Sequence, residues 1–205
     1  MGTQPFLIAA DLEGVFLPEI WKAVHKKTGI EKLKLTTRDI ADYDELMQLR
    51  LKILDENNLT LKDIQEVITT LEPLPGAKEF SDWLKSKAPF IVLSDTFYEF
   101  ARPLMAKLDF PCLFCHSLEV DDKKRIKNYR LRISDGKRRA VETFRSLNFR
   151  VIAMGDSYND TSMLKAADFG ILFRPPENVI KEFPQFPVFT EYEDIKKHID
   201  QILAG

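Results

Sequence analysis

Hydrophobic positions along the chain alternate between short unbroken runs and longer stretches of helical spacing. "FLIAA" (6–10), "FIVLS" (90–94), "RVIAM" (150–154) and "FGILF" (169–173) are runs of apolar and small residues, the pattern of strands covered on both faces. "CLFCHSLEV" (112–120) and "YRLRI" (129–133) read as two further strands, with the polar "DDKKRIKN" between them as a hairpin turn. "FPVFT" (186–190) is a candidate last strand. Helical spacing covers 77–87, 97–108, 136–147, 159–167 and 191–203. Short apolar strands alternating with helices predict an α/β fold, a Rossmann-like parallel sheet with helices on both faces.

The stretch after the first strand has a different rhythm. Ile20, Val24 and Ile30 lie among lysines and predict an amphipathic helix over 18–33, with Gly29 as a stop signal. A second helix starts near residue 40 and places Leu46, Leu49, Ile53 and Leu54 near helical spacing. A third begins at Thr60, a plausible N-cap with Asp63 three residues on, and ends before Pro73 and Pro75. Residues 14–72 carry no strand pattern. Residues 15–73 are therefore expected to form a helical cap, inserted into a core domain of residues 1–14 and 74–205. Ligands of such sheets bind outside the C-terminal ends of the strands, which is the edge this insertion follows.

Composition narrows the function without naming it. The 205 residues are 44% hydrophobic and 30% charged, with a formal net charge of −2. That balance gives no reason to expect nucleic acid or an anionic membrane as the main partner. No apolar run is long enough to span a bilayer, and the first residues lack a basic stretch followed by a long apolar one. "MGTQP" (1–5) reads as a short disordered lead, and a cytoplasmic enzyme or binding protein is the default expectation. Cys112 and Cys115 form C-x-x-C, but His116 alone does not complete a zinc site, and the flanking residues predict a strand where a reactive thiol wants a helix N-terminus. Two small, partly buried residues is the plainer reading of the pair.

The chemistry collects where three strands stop. "FLIAA" ends on Asp11-Leu12-Glu13-Gly14, "FIVL" on Ser94-Asp95-Thr96, and "RVIAM" on Gly155-Asp156-Ser157-Tyr158-Asn159-Asp160. In a parallel sheet these ends share one rim, so Asp11, Glu13 and Asp156 would converge. Carboxylates that close repel unless a cation sits among them, and an oxygen-rich set of this kind suits Mg²⁺. A divalent ion, the Ser94 hydroxyl and a lysine are also equipment for holding a phosphate. Lys137, at the start of a helix leading to the Asp156 strand, could reach the rim. Taken alone, Lys137 beside Arg138 and Arg139 reads as a solvated lysine, and Asp11 alone as a turn residue.

"DLEGV", "LSDTF", the helix-leading Lys137 and "GDSYND" resemble, in order and spacing, the four motifs of the haloacid dehalogenase superfamily of phosphotransferases. The helical insertion, "GDSYND" and "PLPGAKEF" resemble its phosphoserine phosphatase branch. "DLEG" and "SDTFYEF" are similar to the bifunctional phosphoserine phosphatase/phosphoserine:homoserine phosphotransferases within it. The resemblance implies that Asp11 is a nucleophile kept ionised by the metal, and that Glu13 is the acid and base whose backbone carbonyl also binds Mg²⁺. It implies a metal carboxylate at Asp156 with Asp160 behind it, and phosphate contacts from Ser94, the Asp95 amide and Lys137. Asn159 would face the substrate. Glu19 and Arg50 would grip the amino and carboxylate groups of O-phosphoserine, and homoserine could take the phosphoryl group in place of water.

Two positions depart from the usual phosphatase pattern: Glu13 stands where aspartate is commoner, and Asp95-Thr96 where small glycines are typical. Arg50 in "LMQLRLKIL" also fits a solvated helix arginine. The alternatives are a phosphatase for another small phosphomonoester and a non-catalytic phospholigand-binding relative.

Overall fold

The computed structural model describes residues 4–36, 39–40 and 42–205. The alternating runs become a seven-stranded sheet of order β4-β3-β2-β1-β5-β6-β7, parallel except where β4 runs against β3. Its strands are β1 (Phe6–Ala10), β2 (Phe90–Phe97), β3 (Cys112–Val120), β4 (Ile126–Arg130), β5 (Arg150–Gly155), β6 (Phe169–Phe173) and β7 (Val188–Phe189). Successive side chains of a strand face opposite ways, and β1 divides accordingly. Ile8 and Ala10 enter one apolar core, Leu7 and Ala9 the other. The first core takes α4 (Ala77–Lys87), α5 (Tyr98–Lys107) and α9 (Tyr192–Ala204). The second takes α6 (Gly136–Ser146), α7 (Thr161–Ala166) and α8 (Glu177–Glu182). Both faces are covered, which is why these strands are written as continuous apolar runs. No helix among the described residues is long and apolar enough to cross a membrane.

The stretch between β1 and α4 folds as α1 (Ile20–Thr28), a 3₁₀ turn (Glu31–Lys34), α2 (Tyr43–Glu56) and α3 (Leu61–Thr69). Ile20, Val24, Met47, Ile64 and Ile68 join the first core together with Phe97 and Phe100, so these helices and the sheet share one apolar interior. Its stem is pinned twice: the Leu74 amide donates to the Phe16 carbonyl at 2.9 Å, and the Tyr192 hydroxyl to the Val15 carbonyl at 2.6 Å. The ammonium of Lys107 on α5 donates to the carbonyls of Thr69, the last residue of α3, and of Leu71 just beyond it.

Several boundaries differ from the sequence expectation. The helix expected over 18–33 stops at Gly29, whose φ of 72° and amide bond to His25 end it, and the chain resumes as the 3₁₀ turn. Thr60 and Asp63 do form a reciprocal capping box. The expected turn "DDKKRIKN" is too long. Asp121 accepts from the Arg125 amide, Lys124 adopts φ 64°, and Ile126 already pairs with Val120, so β4 is three residues earlier than "YRLRI". The helix α8 is an element that periodicity did not single out. Of the expected lead 1–5, residues 1–3 lie outside the described residues, as does residue 41 near the expected start of the second cap helix. Pro5 accepts from the Arg150 amide at 2.9 Å and so continues the β1 edge.

Candidate active site

Register brings the three motif-bearing strand ends together. Ala10 pairs with Met154 of β5 on one side and Val92 of β2 on the other, so Asp11, Asp156 and Ser94 leave the sheet at neighbouring points on one rim. Strand order reverses here, with β2 and β5 flanking β1, which is where open parallel sheets form clefts. In β2 the pairing to β3 jumps from Leu93–Phe114 to Phe97–His116, leaving Ser94, Asp95 and Thr96 as a bulge. A bulge re-aims the side chains it carries, and these three sit at the cleft. The cleft has a volume of about 720 Å³, and Asp11, Glu13, Glu19, Arg50, Ser94, Asp95, Lys137, Asp156 and Asn159 all line it.

At its floor, oxygen atoms of Asp11, Asp156 and Asp160 lie within 4.8 Å of one another. Two glycines make this crowding possible. A Cβ on Gly14, at φ +82°, would stand 2.4 Å from the Asp156 carboxylate, and one on Gly155 would stand 2.4 Å from that of Asp160. Gly14→Ala is expected to cost about 1–2 kcal/mol or more from the backbone conformation alone, read by urea unfolding, and to displace Asp156. A variant as stable as wild type would mean that the Asp156 carboxylate is not held where Gly14 admits it.

Lys137 is buried and binds this group together. Its Nζ lies 2.9 Å from Asp11 Oδ1, 2.8 Å from Asp160 Oδ1 and 3.4 Å from Asp95 Oδ2. Burial alone would lower the lysine pKa, but the three carboxylates outweigh it and raise it well above its ordinary value. It is no solvated lysine. Asp160, fully buried, also accepts from the Asp156 and Ser157 amides, so its oxygens are occupied by Lys137 and backbone. Asp11 Oδ1 accepts from the Leu12 amide at 2.7 Å. Burial, reinforced by Asp160, raises the Asp11 pKa well above its ordinary value, and Lys137 offsets this only in part. The low pKa that the resemblance implies for Asp11 thus depends on a cation. The Asp11 and Asp156 carboxylates, with Asp160 behind them, are hard ligands at a spacing that suits a divalent ion such as Mg²⁺.

Glu13 behaves differently from the convergence expected of it. Its carboxylate is not in the acidic group; Oε2 accepts at 2.9 Å from the amide of Ile20, an unpaired donor at the start of α1. Burial raises its pKa, and the Ile20 bond lowers it only in part. Ser94 is buried, and its hydroxyl accepts from the Thr96 amide at 3.2 Å. The Asp95 carboxylate is turned towards Asn159, whose Nδ2 donates at 2.9 Å, and towards His116, with Nε2 3.6 Å from Oδ1.

Arg50 is buried, contrary to the solvated-arginine alternative. Its guanidinium lies 4.5 Å over the Trp21 ring and donates to the Leu35 carbonyl at 2.7 Å, while Nε has no hydrogen-bond partner among the described residues. Burial lowers its pKa to about 10. Glu19, half-buried on the same cleft, pairs with Lys22 at 2.6 Å. No sequence motif marks Trp21 or Tyr43, and the sequence offers His116 only as a neighbour of the C-x-x-C pair. Cys112 is exposed and Cys115 buried, three apart on β3 and so on opposite faces, with burial pushing the Cys115 thiol up to about 12.

The sequence profile of the haloacid dehalogenase-like hydrolases matches residues 7–168, which spans every strand end just described. The chain belongs to the haloacid dehalogenase-like hydrolase family. It is 62% identical over 187 residues to phosphoserine phosphatase ThrH of Pseudomonas aeruginosa, covering 91% of each chain. It is 59% identical over 187 residues to a phosphoserine phosphatase of Pseudomonas syringae pv. tomato, covering 91% of this chain and 79% of that one. This hydrolase also shares its fold with a solved phospho-aspartyl intermediate analogue of phosphoserine phosphatase. The TM-score is 0.78 at 20% identity, over 96% of this chain and 99% of that one.

Proposed function

We propose that the protein is a Mg²⁺-dependent phosphoserine phosphatase that can also pass the phosphoryl group from O-phosphoserine to homoserine. The observation that carries this reading is that one cleft holds both the Asp11–Lys137 pair and a buried arginine whose Nε has no hydrogen-bond partner among the described residues. The first is suited to a phosphate and the second to a carboxylate, and an O-phosphoamino acid presents both. The relatives named phosphoserine phosphatase support it.

In this reading Asp11 attacks phosphorus while Glu13 gives its proton to the departing serine oxygen. The serine P–O bond breaks as aspartyl-phosphate forms. Glu13, now a carboxylate, takes the proton of the attacking water or homoserine hydroxyl, and the second attack on phosphorus releases Asp11. Ser94, the Asp95 amide and Lys137 hold the non-bridging oxygens, with Asn159 at the substrate edge. Bound by Asp11, Asp156 and the Glu13 carbonyl, Mg²⁺ would offset the charge of the carboxylates and of the phosphate oxygens. Asp160, already engaged by Lys137 and two amides, orients this set from behind. Residues 15–73 act as the cap, with Arg50 on the substrate carboxylate and Glu19 on its ammonium. Trp21 and the Leu35 carbonyl fix the guanidinium on the wall of the cleft.

The test is an assay with Mg²⁺ and O-phosphoserine, with and without homoserine, following inorganic phosphate and phosphohomoserine. Both products are expected, and chelation of the metal removes both. An oriented hydroxyl can outcompete water at about 55 M because positioning supplies a large effective molarity. Arg50→Ala is therefore expected to raise the phosphoserine KM roughly tenfold or more and to lower the ratio of phosphohomoserine to phosphate. If KM and that ratio are unchanged, the cap does not read the amino acid, and a general small-phosphomonoester phosphatase replaces this proposal.

A further inference from the structure

The Asp95 carboxylate stands where a phosphate-binding site should least tolerate one. It is 3.4 Å from the Lys137 ammonium, which already contacts Asp11 and Asp160. An ammonium has three N–H donors, and three carboxylates face it. Two of these cannot leave. Asp160 is fully buried and fixed by backbone amides, and Asp11 is tied to the Leu12 amide. Asp95 makes the longest of the three contacts and is the most exposed, with a third of its side chain accessible.

Asp95 also has somewhere to go. The Arg132 amide donates to His116 Nδ1 at 3.1 Å, and a backbone amide can only donate, so that nitrogen carries no proton. The ring proton of neutral His116 is thereby placed on Nε2, which faces Asp95 Oδ1 at 3.6 Å. Asn159 holds the other oxygen from the cleft side. Beyond this trio lies a second cavity of about 470 Å³, lined by His116, Leu131 and Ile133 and sharing Asp95, Asn159 and Lys137 with the main cleft.

We propose that Asp95 is a resident counter-anion: its carboxylate ion-pairs with Lys137 where a phosphate oxygen would approach, and yields that place by moving onto His116 when phosphate arrives. The inference rests on the phosphatase reading above and deepens it by naming what sets the strength of the phosphate hold. Pairing keeps a buried ammonium satisfied in the empty enzyme, and the same pairing makes inorganic phosphate a weak ligand and so a product that leaves readily. His116 is a positioning residue. It acts on phosphate through Asp95 and touches neither substrate nor the reacting atoms.

Calorimetric titration of inorganic phosphate into the Mg²⁺-loaded protein tests this. Asp95→Asn and Asp95→Ala are expected to bind phosphate more tightly, by about tenfold, a sign that structural damage would not produce. His116→Phe is expected to weaken phosphate binding, because Asp95 then loses the donor it moves onto and keeps only Asn159. His116→Gln, which keeps a donor, is expected to restore it. In the Asp95→Ala background His116→Phe should have no effect on the phosphate Kd. Unchanged or weaker binding in both Asp95 variants overturns the proposal, as does a His116→Phe effect that persists without Asp95. A wild-type protein that neither binds phosphate nor hydrolyses O-phosphoserine overturns the parent reading along with it. Wild-type hydrolysis with no tightening in the Asp95 variants overturns the counter-anion alone.

Discussion

Asp11→Asn is expected to lower turnover of O-phosphoserine by at least a thousandfold, equivalent to about 4 kcal/mol of transition-state stabilisation. A carboxamide cannot form the acyl-phosphate, and it is a poorer ligand for a hard cation. The fold should survive, because asparagine has the same shape and removes a charge that Asp160 and Asp156 repel. The pH dependence of stability provides a second reading. Burial and Asp160 raise the folded-state pKa of Asp11 above its unfolded value, so the folded metal-free protein binds the extra proton. Its contribution is present below the unfolded pKa and is lost as pH rises through the folded pKa. Melting in the presence of a chelator should therefore show wild type losing stability over that window, with Asp11→Asn losing less. Added Mg²⁺ should restore wild type more than the variant. Residual turnover above about a thousandth of wild type would remove Asp11 from the nucleophile's role.

The parts of this fold most legible in sequence are those where burial leaves no choice. β1, β2, β5 and β6 are covered on both faces, so nearly every position is apolar or small, and the first polar residue after each run marks the rim. That is why the sequence alone places Asp11, Ser94 and Asp156 on one edge. The β3–β4 hairpin was less legible because β4 has a single buried residue, Ile126, within a polar stretch, and the turn chemistry depends on Asp121 and on a left-handed Lys124. In the site, residue types and spacing could suggest that Glu13 joins the acidic group, but not that a free amide at the start of α1 would claim its carboxylate. His116 was hidden for a topological reason. It reaches Asp95 only because the β2 bulge pairs Phe97 with His116, a register that no local pattern encodes. The burial of Arg50 likewise depends on Trp21 and Leu35, which come from outside its own helix.

Glu13→Gln is expected to slow turnover of O-phosphoserine by about a hundredfold or more while leaving substrate binding nearly unchanged. The serine leaving group departs as a basic alkoxide unless it is protonated, and glutamine keeps the size of the side chain without the proton. The environment of Glu13 suits a proton donor. Burial raises its pKa, and the Ile20 amide lowers it only partly, so the carboxyl stays protonated to higher pH than an exposed glutamate. The same Ile20 bond fixes where the carboxyl points, which an acid acting on one oxygen requires. Two readouts separate this role from simple damage to the site. With p-nitrophenyl phosphate, whose leaving group needs no proton, the first step should suffer far less than with O-phosphoserine. The fall in kcat/KM as pH rises, which reports deprotonation of the acid, should flatten in the variant with O-phosphoserine. Equal losses on both substrates, together with an unchanged alkaline limb, would mean that the proton comes from elsewhere. Glu13 would then be left with its backbone carbonyl and its bond to α1 as its contribution to the site.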